Sequence, residues 1–175
     1  TQVRNVLPPG TSVELVLVVQ LVQGLVLSAT LNTAFAFGEE FGWRAYLLQK
    51  LLPLGRRRAV LLLGAVWGAW HWPIIAMGYN YGFDYVGAPW TGFLAMTWMT
   101  TATGTFLAWV ALRTDSAWAP ALGHGMINAF AGIGVLFARP GAPSLLGPTV
   151  VGVVVAVPWA LLAGLLLLRA DEFRK

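Results

Sequence analysis

Apolar stretches about as long as a lipid bilayer is thick occupy most of this chain. A helix needs roughly 20 apolar residues to cross a hydrocarbon core of about 30 Å. Only 10% of the residues are charged, whereas a soluble domain carries about 25%. The sequence therefore predicts an all-α, multi-pass transmembrane helical bundle with about five to six membrane helices. The predicted helices cover residues 12–37, 38–52, 59–77, 90–112, 117–137 and 145–168.

The length of the chain favours one membrane domain over residues 1–175. Because the first residue is Thr1 and not methionine, we expect further helices upstream of it. The chain contains no cysteine, which excludes a thiolate nucleophile and a thiolate metal site within it. The pattern predicts no particular oligomeric state.

Basic residues gather at the ends of the predicted spans, at residues 56–58, at Arg113 and in the tail 169–175. These positions lie on one side of the membrane if each span crosses once, and cytoplasmic loops carry an excess of Lys and Arg. We therefore expect an integral protein of the cytoplasmic (plasma) membrane, surrounded by membrane lipids. No basic face continues along a helix, so we expect no nucleic-acid partner.

A few ionisable residues lie inside the apolar stretches, where they are costly unless they face a functional site. Glu39, Glu40 and Arg44 lie in one stretch, and the only two histidines, His71 and His124, lie in two others. Counted from the nearest basic flank, Glu39, His71 and His124 lie roughly 16 to 20 Å deep. We therefore expect three separate segments to contribute to one site.

The spacing within the first stretch suggests different roles for Glu39 and Glu40. Arg44 follows Glu40 by one helical turn, which suits an ion pair. Neighbouring residues of a helix point about 100° apart, so we expect Glu40 to support Arg44 while Glu39 is free for chemistry. A carboxylate and an imidazole, here Glu39 and His71, are suited to removing a proton from water.

His124 and Asn128 lie one turn apart on one helix face and can donate hydrogen bonds in one direction. Such a pair can stabilise a developing oxyanion, so the residues predict hydrolysis of an amide by an activated water. Two histidines and a carboxylate could instead hold zinc and a water, which makes Glu39, His71 and His124 the metal candidates. The cofactor stays open, because a glutamate mechanism needs none.

Two further patterns concern packing. Gly38 with Gly42, and Gly64 with Gly68, have the G-x-x-x-G spacing that lets helices approach closely in lipid. We interpret Trp67 as a packing residue in preference to the lining of a substrate cavity.

The motifs resemble those of a known family. Residues 39–44 are similar to E-E-x-x-x-R, residues 67–71 to F-x-x-x-H, and residues 124–128 to H-x-x-x-N. These motifs belong, in this order, to the CAAX protease and bacteriocin-processing (CPBP) family, the type II CAAX prenyl endopeptidase-like intramembrane proteases. Trp67 occupies the place where the family pattern has Phe.

The resemblance implies an intramembrane endopeptidase, of a metalloprotease or glutamate type, in a CAAX-protease-like membrane domain. Its substrate would be a peptide or a lipidated protein cleaved near its C-terminus, with prenylated CaaX proteins as the class that the family name implies. The resemblance also implies water activation by Glu39 and His71, an oxyanion site at His124 and Asn128, and support by Glu40 and Arg44.

Two non-proteolytic interpretations compete with this one. A proton-coupled transporter also buries Glu and His at mid-depth, but it would usually show two repeated halves, which the sequence lacks. A bacteriocin-immunity or anchoring factor would be expected to lose Glu39, His71 or His124, and the chain keeps all three.

Overall fold

A computed structural model of the chain describes residues 12–139 and 141–173. All the regular elements within these residues are helices, which confirms the predicted all-α membrane bundle. Three helical segments are long and apolar enough to cross a membrane, namely Glu14–Leu54, Arg56–Ala76 and Trp118–Phe137. The predicted extent of a single domain over residues 1–175 stays a prediction.

The first segment is one long helical run. It contains α1 (Val13–Leu27), α2 (Thr33–Glu40) and α3 (Leu48–Leu51), joined by π-helical turns at Ser28–Asn32 and Phe41–Leu47. The expected break between residues 37 and 38 is therefore wrong, because the π-turns widen the helix without ending it. A 3₁₀ turn, Leu52–Leu54, and Gly55 with a φ of 93° end the run, as the Pro53–Gly55 sequence predicts.

The second segment bends where its proline predicts. Helix α4 (Arg56–Trp70) ends at His71, and α5 (Trp72–Ala76) begins directly after it. Pro73 lies in the first turn of α5, where the missing amide hydrogen costs least. His71 therefore occupies the junction between two short helices and not the middle of a straight one.

Helix α6 (Trp90–Thr114) is the centre of the bundle and packs against α4, α7 (Trp118–Phe130) and α8 (Val157–Arg169). Its buried face is built largely from Gly, Ala and Thr. The hydroxyls of Thr97, Thr100 and Thr103 donate to carbonyls one turn earlier, at 2.8 to 2.9 Å. Buried hydroxyls are thus satisfied within the helix, as a bundle in lipid requires.

One G-x-x-x-G pair makes the α4–α6 contact and the other does not. A Cβ atom added to Gly64 would lie 2.6 Å from Cα of Thr101, and one added to Gly68 would lie 2.6 Å from Cα of Thr97. The Thr100 hydroxyl, whose one hydrogen is shared with the carbonyl one turn earlier, also lies 3.0 Å from the carbonyl oxygen of Gly64. Close approach at Gly64 and Gly68 is therefore confirmed. In contrast, a Cβ on Gly38 or Gly42 would meet nothing within 4 Å among the residues that the structure describes, so the close packing predicted there is wrong for this part of the chain.

The last predicted span, residues 145–168, is shorter than expected. Residues 144–156 form turns, and α8 covers only the 13 residues Val157–Arg169. The difference has a local cause, because Pro148 and Pro158 lack the amide hydrogens that an α-helix through them would need. Pro158 lies in the first turn of α8, where a proline is tolerated.

Two basic residues from the predicted cytoplasmic side of the bundle contact the C-terminal turn of the chain. Arg113 Nη1 donates to the carboxylate of Glu172 at 2.8 Å, and Arg56 Nη1 donates to the carbonyl of Glu172 at 2.9 Å. Phe173 beside it is buried against the ends of α4 and α6. Residues at two predicted cytoplasmic flanks therefore converge on the C-terminal turn Asp171–Phe173, while Arg174 and Lys175 lie outside the described residues.

Candidate active site

Glu40 lies at the centre of a buried polar chain. It is the last residue of α2, and its side chain is 0% exposed. Its Oε1 atom accepts a hydrogen bond of 2.7 Å from Nη1 of Arg44 and one of 2.8 Å from Nδ1 of His124. The predicted Glu40–Arg44 pair is therefore present, and the same carboxylate also holds a histidine from a distant helix.

The Glu40–His124 contact depends on the close packing of α2 against α7. A Cβ on Gly125 would lie 2.8 Å from the backbone nitrogen of Thr33, so a larger residue would push the two helices apart. Since an ionised carboxylate can only accept, Nδ1 of His124 is the donor. Its Nε2 atom is then left for a ligand or a substrate.

His71 is anchored in a similar way by its own helix. Its Nδ1 atom lies 2.8 Å from the carbonyl oxygen of Trp67, one turn earlier. A carbonyl can only accept, so Nδ1 carries the hydrogen, and Nε2 of the neutral ring is an available base or metal ligand.

His71, His124 and Asn128 come together at one cavity of about 110 Å³. This cavity is large enough for several waters. The structure thus brings together three of the four predicted catalytic residues. The remainder of its wall comes from both packing helices and loops, including Trp67, Met96, Met99, Thr100, Tyr79, Asn80, Val150 and Val151.

Two loops cover this cavity and are tied to one another. The hydroxyl of Tyr81 donates to the carbonyl of Val151 at 2.8 Å, and the hydroxyl of Ser144 donates to the carbonyl of Tyr81 at 2.7 Å. Burial raises the pKa of Tyr81, so its hydroxyl remains a donor well above neutral pH. The two bonded loops thus form part of the cavity wall.

Glu39 lies apart from the other three predicted catalytic residues. It is half-buried and lines an open groove of about 430 Å³ with Trp70 and residues of its own helix. Its Oε2 atom accepts a hydrogen bond of 3.3 Å from Nε1 of Trp67. The Glu40 side chain points into the bundle, and the Glu39 side chain faces the groove. The two carboxylates therefore diverge, as predicted. Trp67 therefore lies between Glu39 and the cavity.

The metal candidates do not form a ligand set in this arrangement. Among the residues that the structure describes, no three His, Asp or Glu side chains lie close enough to hold one ion. A zinc site of the predicted type needs three protein ligands around an open position. The donors as placed do not fit zinc.

Trp67 contacts residues of both the groove and the cavity, a role that was not predicted from the sequence. Its ring lies 4.6 Å from Cζ of Arg44 and packs edge-on against His124 with the ring centroids 5.1 Å apart. It also donates to Glu39, and its carbonyl holds His71. The residue is only 4% exposed, so the packing role predicted for it is real but incomplete. The one available signal was its position a single turn before His71.

Comparison with known proteins identifies the family. A family model described as type II CAAX prenyl endopeptidase Rce1-like matches residues 17–130, which is more than half of the chain. The chain belongs to this family. The predicted resemblance is thereby confirmed. No curated protein and no solved structure matches the chain.

Membership in the type II CAAX prenyl endopeptidase Rce1-like family supports a protease embedded in a membrane. The matched stretch contains every predicted site residue, from Glu39 to Asn128. It ends at Phe130, so the cavity-covering turns at 144–156, helix α8 and the Glu172 contacts lie outside it.

Proposed function

We propose that this chain is an intramembrane endopeptidase that hydrolyses a peptide bond with a water activated by Glu39 and His71. The observation that carries the proposal is the shared cavity of His71, His124 and Asn128 in a chain of a protease family. Each histidine has one ring nitrogen held by the protein, which leaves the other nitrogen for the reaction.

His71 acts as a base on the cavity side. Its Nδ1 hydrogen is held by the carbonyl of Trp67, so the tautomer with a free Nε2 is already selected. A base with a fixed orientation needs little rearrangement when it accepts a proton from water.

Glu39 acts from the groove side. Trp70 lines the groove with Glu39 and also packs edge-on against His71, with the ring centroids 4.9 Å apart. In this proposal the substrate peptide lies along the groove, and its scissile bond lies beside Trp67, the ring that separates Glu39 from the cavity. Glu39 and His71 then share the attacking water between them.

His124 and Asn128 stabilise the intermediate. An imidazolium at His124, with the Glu40 carboxylate as its counter-charge, donates from Nε2 to the carbonyl oxygen as negative charge develops. The amide of Asn128 is the second donor. The proton taken from water passes to the nitrogen of the leaving amine, so the C–N bond breaks with a neutral leaving group.

The proposed substrate is a prenylated CaaX-type protein cleaved near its C-terminus, in the cytoplasmic (plasma) membrane. The family description and the apolar and aromatic lining of the groove, with Trp43, Tyr46, Leu47 and Trp70, support a lipidated substrate. The mechanism uses no metal ion, and zinc is the alternative that a chelator tests.

The test is cleavage of a prenylated CaaX peptide, and of the same peptide without its lipid, by purified protein in lipid vesicles. We expect cleavage of the prenylated peptide by wild type, and at least a 100-fold loss for His71→Ala. Glu14→Ala, which removes an exposed carboxylate in the first turn of α1, is the control and keeps full activity. A folded wild type that cleaves neither peptide would favour the non-proteolytic alternatives.

A further inference from the structure

Trp67 contacts both halves of the proposed site. Its indole N–H donates to Glu39 in the groove, and its ring lines the cavity beside His71 and His124. A carboxylate accepts hydrogen bonds at each oxygen, and bonds to a charged acceptor are stronger than those between neutral groups. The contact between Trp67 and Glu39 is therefore suited to fixing where the carboxylate points.

The orientation of the indole is itself fixed by the residues around it. The guanidinium of Arg44 lies over the ring with Cζ 4.6 Å from its centroid, and His124 packs edge-on against it. Arg44 and His124 are in turn held by the same Oε1 atom of Glu40. The direction of the Trp67 N–H bond thus depends on the buried Glu40 cluster.

Glu39, in contrast, has considerable freedom of its own. It is half-buried in an open groove, and among the described residues a Cβ added to the nearby Gly38 or Gly42 would meet nothing within 4 Å. A long side chain in such a place loses rotamer freedom only if something binds it. Trp67 is the residue that the structure shows bonded to the Glu39 carboxylate.

We propose that Trp67 is a positioning residue that holds the Glu39 carboxylate at the boundary between groove and cavity. The inference rests on the proposed function, because it assigns to Trp67 the orientation of a group that acts in hydrolysis. Through the chain Glu40–Arg44–Trp67–Glu39, the buried second glutamate supports the first one as well as His124.

Trp67→Phe is the direct test, since phenylalanine keeps an aromatic ring, although a smaller one, against Arg44 and His124 and removes the N–H donor. We expect kcat to fall by about tenfold, with KM changed less than about twofold. Trp109→Phe is the matched control, because the Trp109 indole donates to the carboxylate of Glu172 at 3.1 Å, far from the site. It removes the same kind of bond and leaves kcat unchanged.

A double-mutant cycle separates positioning from general packing. If Trp67 acts through Glu39, Trp67→Phe in a Glu39→Ala background causes no further loss of kcat. The positioning role is overturned if the double variant loses kcat by the product of the two single losses. It is also overturned if Trp67→Phe is fully active while Glu39→Ala is inactive. Both outcomes leave the proposed function intact. Equal activity of wild type and Glu39→Ala overturns the proposed function itself.

A spectroscopic measurement tests the bond without activity. In ¹⁵N-indole-labelled protein, the Trp67 resonance is assigned by its absence in Trp67→Phe. We expect it to shift in Glu39→Ala and to stay in place in Glu14→Ala. No shift in Glu39→Ala means that the indole does not bind this carboxylate, which contradicts the inference.

Discussion

The Nδ1 atom of His124 lies 2.8 Å from Oε1 of Glu40, and 84 positions of sequence separate the two residues. The same oxygen binds Arg44 at 2.7 Å, so one buried carboxylate serves two cations or potential cations. The second glutamate of the E-E-x-x-x-R motif therefore supports both the local arginine and a distant histidine of the cavity.

Loss of the Glu40 charge should destabilise the protein far more than loss of the Glu39 charge. Glu40→Gln leaves the fully buried Arg44 without a counter-charge, and breaking a buried pair costs about 3 to 5 kcal/mol. Glu39→Gln, at a half-buried position with a single hydrogen bond, should change stability by less than about 1 kcal/mol. Thermal unfolding of both variants in detergent measures the difference, and equal melting temperatures would contradict the account.

Gly64→Ala should destabilise the bundle, whereas Gly38→Ala should not. At Gly64 the new Cβ would lie 2.6 Å from the backbone of Thr101, so α4 and α6 would have to separate. At Gly38 the Cβ meets none of the described residues within 4 Å, and Ala is the better helix former by about 1 kcal/mol. A lower melting temperature for Gly38→Ala than for Gly64→Ala would show that α4 and α6 do not make close contact at Gly64.

Removal of the Tyr81 hydroxyl should loosen the cover of the cavity. Tyr81→Phe loses the 2.8 Å bond to Val151 and leaves that carbonyl without this donor, at a cost of about 1 kcal/mol. Tyr85→Phe is the control, because its hydroxyl makes only a 3.4 Å bond to Pro89. Hydrogen exchange should become faster at residues 79–82 and 150–152 in Tyr81→Phe alone, and unchanged protection there would refute the tie between the loops.

The C-terminal turn should undock in acid. The pKa of Glu172 is lowered, first by a hydrogen bond with its own backbone and then by the hydrogen bond from Arg113. Because the pKa of Glu172 is lower in the folded state, its ionised form stabilises the docked turn at any pH above the unfolded pKa of about 4.3. This stabilisation is lost as the pH falls through the folded pKa. We expect tail proteolysis to rise below about pH 4 in wild type, and Glu172→Gln to show no such step. A step that persists in Glu172→Gln would assign it to another group.

Local patterns allowed part of this structure to be predicted from the sequence. The Glu40–Arg44 pair follows from i, i+4 spacing, the break at His71 from Pro73, and the α4–α6 contact from Gly64 and Gly68. Each depends on geometry within a few residues of one helix, where chain periodicity is informative.

The remaining features depend on contacts between helices. The bond between Glu40 and His124 depends on how α2 and α7 approach each other at Gly125, which no local pattern encodes. The hydrogen bond between Trp67 and Glu39 depends on how the first helical run approaches α4, which no local pattern predicts. Depth estimates placed Glu39 near the histidines, but they contained no information on what lies between them.

A chelator separates the two mechanisms considered for the family. Because no three candidate ligands lie together in the described residues, we expect activity to survive excess chelator and extensive dialysis. Loss of cleavage that added zinc restores, and that magnesium does not, would show that the site rearranges to bind metal.

Single-turnover cleavage of a prenylated CaaX peptide by wild type and Glu39→Ala tests the central claim most directly. Mass spectrometry identifies the bond that is cut, and Glu14→Ala shows that removing a carboxylate elsewhere has no effect. The account predicts one cut near the peptide C-terminus, unchanged in rate for Glu14→Ala and slowed at least about 100-fold for folded Glu39→Ala. Cleavage of the same bond by Glu39→Ala at the wild-type rate would contradict the account.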